Sequence, residues 1–303
     1  MELEISAYPA KEEHWPSLIG LGKTYYPSGH PALTEKFLKW FYLENPAGPA
    51  ILIAAHENDL LIGLVVLIPV TLESAGTIQR ACYAVNVLTH PDHRGKNLFV
   101  KMIRHARDYL SAEGIWLLGH PNPSAVPGWK RQKMEFRDLL HLYLAKFRFP
   151  FSSIREHEIR NLKQLRAIPD SFFVSLAERQ DVHVQCYPEY IQWRFLDAPH
   201  KEYRVVAVES HGEFLGLRIT RKFKGPVDLA VDFIAPIKSI KALLSSLRRP
   251  TLIMHSGVGA AGSVVNDSCW RLPIKRQFPF FVSTWENVCS HDMNGITLAA
   301  SDF

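Results

Sequence analysis

The fold of this chain is decided by one stretch of sequence, Val85-Asn86-Val87-Leu88-Thr89-His90-Pro91-Asp92-His93-Arg94-Gly95-Lys96-Asn97-Leu98-Phe99. It begins with apolar, β-branched residues typical of a strand, stops at a proline and continues as a basic loop. We therefore predict a strand, a basic loop and an amphipathic helix in succession. The apolar positions that follow the 3.6-residue period of this helix are Leu98, Phe99, Met102, Ile103, Ala106, Tyr109 and Leu110.

The predicted loop has the features of an anion-binding site. A strand that leads through a loop into a helix directs the unpaired N–H groups of the first turn, and the positive end of the helix dipole, at one point. Arg94 and Lys96 would add charge-assisted hydrogen bonds. The stretch thus predicts a site for phosphate or pyrophosphate, although a solvated basic loop that caps a core helix has the same local pattern.

Two common phosphate-binding motifs do not fit this loop. A Walker loop requires a hydroxyl residue after its lysine, whereas Asn97 follows Lys96. A dinucleotide fingerprint requires Gly-x-Gly-x-x-Gly, and Gly95 is the one glycine of the stretch. Residues 257–262 do have that spacing, but they precede a segment that predicts a poor helix, and Lys275 lies where such a site needs an acidic residue. We expect no dinucleotide site there.

The stretch resembles the acetyl-CoA pyrophosphate loop of the GNAT acyltransferases, Arg/Gln-x-x-Gly-x-Gly/Ala after a strand that ends in Val-x-Pro. Asn97 and Phe99 depart from it, since they stand where the family usually has small residues. Asn tolerates a left-handed backbone best among non-glycine residues, so we expect Asn97 to hold the turn and Phe99 to reshape the site. The resemblance spans residues 35–147. It makes the strand that ends at Thr89 the family's strand four and the apolar segment 115–118 its strand five, with Asn122 and Ser124 at the polar positions after strand five.

A gapless internal repeat, with a shift of 153 residues, indicates two copies of one fold. It aligns Trp40 with Trp193 and Gly63 with Gly216, and in each copy a helix and a proline precede two strands. The second copy has Pro236 where the first copy has its basic loop, and proline has no N–H to offer a phosphate.

We therefore predict an α+β fold of two tandem GNAT-like lobes, each a mixed β-sheet flanked by helices. Residues 1–150 would form an acyl-CoA-binding catalytic lobe. Residues 151–303 would form a degenerate lobe without a phosphate loop.

Composition is consistent with a soluble enzyme. The net charge is +5, and the basic residues are scattered rather than clustered, so we expect no nucleic-acid partner. The histidines show no metal-ligand spacing, so we expect no metal. We expect no signal peptide at the N-terminus, and the longest apolar run, 60–70, is too short to cross a bilayer, so we expect a cytoplasmic protein without a transmembrane segment. The four cysteines show no CxxC spacing, and this absence also favours a reducing compartment. They are Cys82, Cys186, Cys269 and Cys289.

The resemblance also implies a reaction, in which an amine attacks the acyl-CoA thioester directly. Backbone amides of strand four would polarise the thioester carbonyl, as an oxyanion hole does. The family often places a Tyr on the helix after strand five to protonate the thiolate, but here that helix carries Trp129. We expect the catalytic candidates to be His120, Asn86 and Tyr83, with Asn86 only as a water-orienting group. The residues expected to bind acyl-CoA are Val87, Leu88, Thr89, Arg94, Gly95, Lys96, Asn97, Leu98, Phe99, Asn122 and Ser124.

The sequence thus favours an N-acyltransferase that moves an acetyl or other acyl group from acyl-CoA to a small-molecule amine. The repeat resembles that of tandem GNAT-like bacterial enzymes associated with surface-polysaccharide synthesis, which implies an amino-sugar acceptor. Two other classes stay open: a non-catalytic acyl-CoA-binding module, and a FemAB-like, aminoacyl-tRNA-dependent peptidoglycan ligase. The sequence leaves the acceptor, the acyl length and the oligomeric state open.

Overall fold

The computed structural model describes residues 3–134, 136–138, 141–145, 153–255, 259–273 and 279–283. Its elements in the first half of the chain are β1 (Leu3–Pro9), α1 (Trp15–Lys23), α2 (Glu35–Tyr42), β2 (Ile51–Glu57), β3 (Leu60–Ser74), β4 (Thr77–Thr89), α3 (Leu98–Ala112), β5 (Trp116–Gly119), α4 (Val126–Lys130), β6 (Phe136–Asp138) and β7 (His141–Ala145). Those in the second half are β8 (Ile154–Ile159), α5 (Leu162–Arg166), α6 (Asp170–Ala177), β9 (His183–Val184), α7 (Pro188–Ile191), β10 (Arg204–Ser210), β11 (Glu213–Lys224), β12 (Val227–Ile234), α8 (Ile237–Ser245), β13 (Thr251–His255), α9 (Gly259–Ser268), β14 (Cys269–Arg271) and β15 (Pro279–Ser283).

The first sheet has the strand order β1-β2-β3-β4-β5-β15-β6, and β9 pairs antiparallel with the end of β3 off this path. β1, β2 and β3 are antiparallel neighbours, whereas β4 and β5 run parallel. Helix α3 packs on this sheet through the predicted apolar face, with the exception of Tyr109, which is 37% exposed. The residues of α3 buried in the core are Leu98, Met102, Ile103, Ala106 and Leu110.

The second sheet has the strand order β8-β10-β11-β12-β13-β7-β14, and β12 and β13 again run parallel. Both sheets are therefore mixed and flanked by helices, which is the predicted α+β class. Gly63 and Gly216, the aligned glycines of the repeat, have the same role in both sheets, because each lets a neighbouring part of the chain approach the backbone closely. A Cβ on Gly63 would lie 2.7 Å from the sulfur of Met102 in α3, and a Cβ on Gly216 would lie 2.6 Å from the Ile234 carbonyl oxygen.

Both sheets contain strands from the other half of the chain. β15 lies between β5 and β6, and β7 lies at the same place between β13 and β14. The two compact units therefore differ from the expected lobes 1–150 and 151–303, because β7 belongs to the second unit and β15 to the first. Residues 72–78, at the β3–β4 turn, also belong to the second unit. Strands pair through backbone hydrogen bonds, which depend little on position along the chain, so the local pattern does not reveal this exchange.

One local expectation was wrong. The segment after the Gly-rich run 257–262 was expected to be a poor helix, yet α9 is helical from Gly259 to Ser268. The strand that follows, β14, pairs antiparallel with β7. A dinucleotide site requires a parallel βαβ unit, so the described residues still provide none there.

None of the helices in the described ranges has the length and apolar character needed to cross a membrane.

Candidate acyl-CoA site

The candidate site begins where two parallel strands separate. β4 pairs with β5 at Ala81, Cys82 and Tyr83. Three residues further on, Asn86 has a left-handed backbone with φ of 46°, which interrupts the extended conformation of the strand. Beyond this point, residues 87–89 of β4 line cavities.

Two tyrosines, one half-buried and one buried, hold the side chain of Asn86. The Tyr26 hydroxyl donates to Asn86 Oδ1 at 2.7 Å, and Asn86 Nδ2 donates to the Tyr42 hydroxyl oxygen at 2.6 Å. Burial raises the pKa of Tyr26 to about 12 and raises the pKa of Tyr42 further, so both hydroxyls stay protonated at neutral pH. Asn86 is therefore a fixed amide at the wall of the smaller cavity.

The basic loop between β4 and α3 has two left-handed residues. A 3-10 turn at Pro91–His93 follows the strand, and Gly95 and Asn97 then have φ of 78° and 58°. The expected left-handed turn at Asn97 is thus confirmed. Its side chain makes no capping hydrogen bond to α3. The first N–H groups of a helix have no partner within the helix, so this end of α3 can receive an anion.

A cavity of about 820 Å³ lies beside this loop, the end of β4 and the segment that leads into α4. Lys96 is the one predicted acyl-CoA residue outside its described lining; its exposed side chain stands between the two left-handed residues. The predicted residues that line the cavity are Val87, Leu88, Thr89, Arg94, Gly95, Asn97, Leu98, Phe99, Asn122 and Ser124. The fold therefore brings the strand, loop and Asn122 positions together as expected.

Sequence reasoning missed three polar residues in the lining of this cavity. Arg131 follows α4, His93 ends the 3-10 turn, and Tyr25 comes from the segment after α1. The basic pair Lys130-Arg131 was a usable signal, since it follows the predicted strand-five turn. Tyr25 had no signal in the sequence, because only the tertiary fold brings it beside β4.

A smaller cavity of about 150 Å³ adjoins the large one and shares part of its lining. Of the catalytic candidates, Asn86 and His120 line it. Tyr83 is outside the described lining of both cavities and forms a hydrogen bond with His120 Nδ1. The residues common to both cavities are Tyr25, Val87, Leu88, Asn122 and Ala125.

Burial determines the chemistry of the ionisable groups near the smaller cavity. It lowers the pKa of His120 to about 3, so this imidazole is neutral and weakly basic at physiological pH. It raises the pKa of Cys82 to about 12, so that thiol is a poor nucleophile. In the described part of the chain, no three His, Cys, Asp or Glu side chains are grouped as metal ligands.

The second unit has no equivalent of the basic loop among its described residues. Pro236 directly precedes α8 at its N-cap, and the neighbouring Ala235 is fully buried. The cavity beside β12 measures only about 20 Å³, and one of its lining residues is Asp232. Burial raises the pKa of Asp232 to about 6. This volume accommodates about one water molecule and no cofactor.

Comparisons with known proteins agree with this geometry. The family model described as "Acetyltransferase (GNAT) domain" matches residues 7–125, while the curated proteins gave no match. A GCN5-related N-acetyltransferase from Anabaena variabilis is 12% identical, with a TM-score of 0.68, over 93% of this chain and 73% of that one. A probable N-acyltransferase from Enterococcus faecalis is 12% identical, with a TM-score of 0.70, over 94% and 73%.

Saccharomyces cerevisiae N-myristoyltransferase, solved with bound myristoyl-CoA, is 11% identical, with a TM-score of 0.53, over 92% of this chain and 79% of that one. At such identities the likeness concerns the fold. Residues 7–125 therefore match a GNAT acetyltransferase domain, and the chain has the predicted GNAT-like fold with two sheets.

Proposed function

We propose that this protein transfers an acyl group from acyl-CoA to the amine of a small-molecule acceptor. The observation that carries the proposal is the loop with left-handed Gly95 and Asn97, which opens α3 beside a cavity of about 820 Å³. The pyrophosphate of CoA would receive N–H hydrogen bonds from residues 95–99. Arg94, whose Nε donates to the Thr89 carbonyl at 3.3 Å, links the loop to the end of β4 and adds positive charge.

In this proposal, the thioester would lie at the break between β4 and β5. Residues 87 and 88 line both cavities, so a pantetheine arm in the large cavity would bring its thioester to their junction. A backbone N–H of residues 87–89 directed at the carbonyl oxygen would stabilise the negative charge that develops during attack.

His120 serves this reaction better as a hydrogen-bonding group than as a base. An imidazole with a pKa of about 3 takes a proton poorly from an ammonium group. We assign to His120 and Asn86 together the role of ordering a water molecule at the cavity wall. In the step, the amine nitrogen bonds to the carbonyl carbon and the carbon–sulfur bond breaks. The amine proton passes to water, and the CoA thiolate leaves and is protonated from solvent.

An amino sugar of polysaccharide biosynthesis is the acceptor we favour. Tyr25 lines both cavities, is 53% exposed and meets Tyr26 edge to face at 5.0 Å. An exposed aromatic ring beside polar groups suits a ring-shaped polar acceptor. We place the protein in the cytoplasm, where acyl-CoA is available; Cys82, Cys186 and Cys269 are free thiols, as that compartment allows.

Calorimetry with acetyl-CoA tests the cofactor part of the proposal. Loss of one charged phosphate contact costs about 1.5–3 kcal/mol, so Arg94→Ala should weaken binding by tens of fold. Arg104→Ala is the matched control, since it removes an exposed arginine of α3 that lies outside the described cavity lining. Lys238→Ala removes a positive charge from α8, the corresponding helix of the second unit.

The results separate the alternatives. Unchanged affinity in Arg94→Ala would remove this site, and a strong loss in Lys238→Ala would move it to the second unit. Tight binding without turnover across an amine panel would favour a non-catalytic acyl-CoA-binding module. Absence of acetyl-CoA binding by the unaltered protein would favour the FemAB-like ligase.

A further inference from the structure

Two aromatic rings line the smaller cavity, and two more pack on them; together we call them the aromatic wall: Trp129, Phe281, Phe99 and Phe136. Trp129 and Phe281 line the cavity, with ring centroids 4.4 Å apart. Phe99 meets Trp129 at 5.7 Å, edge to face, and Phe136 meets Phe281 in the same way at 5.7 Å. The wall therefore joins side chains from α3, α4, β6 and β15.

The rings of the aromatic wall have little room to move away from the smaller cavity. Trp129 and Phe281 are 2% and 1% exposed and belong to the core of the first sheet. A Cβ on Gly119 would lie 2.7 Å from the ring of Phe281, and a Cβ on Gly128 would lie 2.4 Å from the ring of Phe99. The rings thus press directly against the backbone of β5 and α4, at positions where only glycine fits.

The volume in front of the aromatic wall corresponds to a few carbon atoms. The smaller cavity measures about 150 Å³, the size of a cavity that holds one benzene ring, and polar Asn86 and His120 line it beside the aromatic rings. The fold itself does not impose so small a space, since the yeast N-myristoyltransferase of similar fold was solved with bound myristoyl-CoA. The limit on chain length must therefore come from the side chains that line the cavity.

We propose that Trp129 and Phe281 restrict the acyl donor to short chains, from acetyl to about butyryl. This inference rests on the proposed function, because it takes the thioester to lie where residues 87 and 88 join the two cavities. The acyl chain then extends into the smaller cavity toward the aromatic wall. A longer chain meets Phe281, which β15 brings from the far end of the sequence.

Calorimetry with CoA, acetyl-, butyryl-, hexanoyl- and octanoyl-CoA tests the proposal on the full chain. Burial of each CH₂ should tighten binding about fourfold, up to butyryl. Hexanoyl- and octanoyl-CoA should bind no more tightly than CoA. Phe281→Ala should extend the increase in affinity with chain length as far as octanoyl-CoA. Phe281→Leu, which leaves a smaller gap in the core, should extend it as far as hexanoyl-CoA.

Phe172→Leu is the matched control, because this buried ring packs on Phe214 in the core of the second sheet and is not part of the described cavity lining. It should keep the chain-length order of the unaltered protein. Octanoyl-CoA binding as tightly as butyryl-CoA to the unaltered protein would overturn the proposal and leave the proposed function intact. An unchanged order in a folded Phe281→Leu, with its thermal transition retained, would also overturn it. Failure of every CoA species to bind would instead refute the proposed function.

Discussion

Replacement of Asn86 tests whether a side chain holds the break between β4 and β5. Asn86 accepts a hydrogen bond from Tyr26, donates one to Tyr42 and has a left-handed backbone. Ala removes both hydrogen bonds, at about 0.5–1.5 kcal/mol each, and takes a left-handed conformation that costs roughly 1–2 kcal/mol. We therefore expect Asn86→Ala to lower the free energy of unfolding by about 2–5 kcal/mol.

Asn86→Gly is the matched variant, because glycine adopts the left-handed conformation without that penalty. It should lose only the two hydrogen bonds, about 1–3 kcal/mol. Urea unfolding followed by tryptophan fluorescence measures both values, and calorimetry with acetyl-CoA shows whether the site keeps its shape. We expect the glycine variant to bind acetyl-CoA more tightly than the alanine variant.

The comparison between the two variants can refute this reasoning. Equal losses of stability in the two variants would show that the backbone at residue 86 leaves the left-handed conformation when alanine is present, so that glycine has no advantage there. No loss in either variant would show that the hydrogen bonds to Tyr26 and Tyr42 do not stabilise the break.

Two further predictions concern pH. The folded pKa of His120, about 3, lies below its unfolded value, so its contribution to stability is lost as pH falls below about 6.5; at pH 5 this amounts to about 2 kcal/mol. Urea unfolding at pH 7 and pH 5 should show a smaller loss in His120→Gln, and an equal loss would contradict the low pKa. The folded pKa of Asp232, about 6, lies above its unfolded value, so stability falls as pH rises from about 4 to 6. Asp232→Asn should raise stability by up to about 3 kcal/mol at pH 7 and leave it unchanged below pH 4; a pH-independent effect would refute this.

Much of the first site could be predicted because it is local in sequence. The strand, the loop and the first turn of α3 are consecutive, so the period of the apolar residues and the tolerance of Asn97 for a left-handed backbone were enough to predict them. Pro236 showed equally directly that the second unit lacks the loop. The helix α9 was mispredicted, because its weak local preference is overridden by packing in the fold.

The sequence by itself determined the α+β class and the succession of strand, basic loop and helix at residues 85–112, since these follow from local periodicity and from backbone preferences of single residues. Only the tertiary structure decided that β7 and β15 change sheets, because strands pair through backbone groups common to all residues. It also decided that Tyr26 and Tyr42 hold Asn86, and that Phe281 closes the smaller cavity. These contacts join residues far apart in the chain, and no periodicity records them.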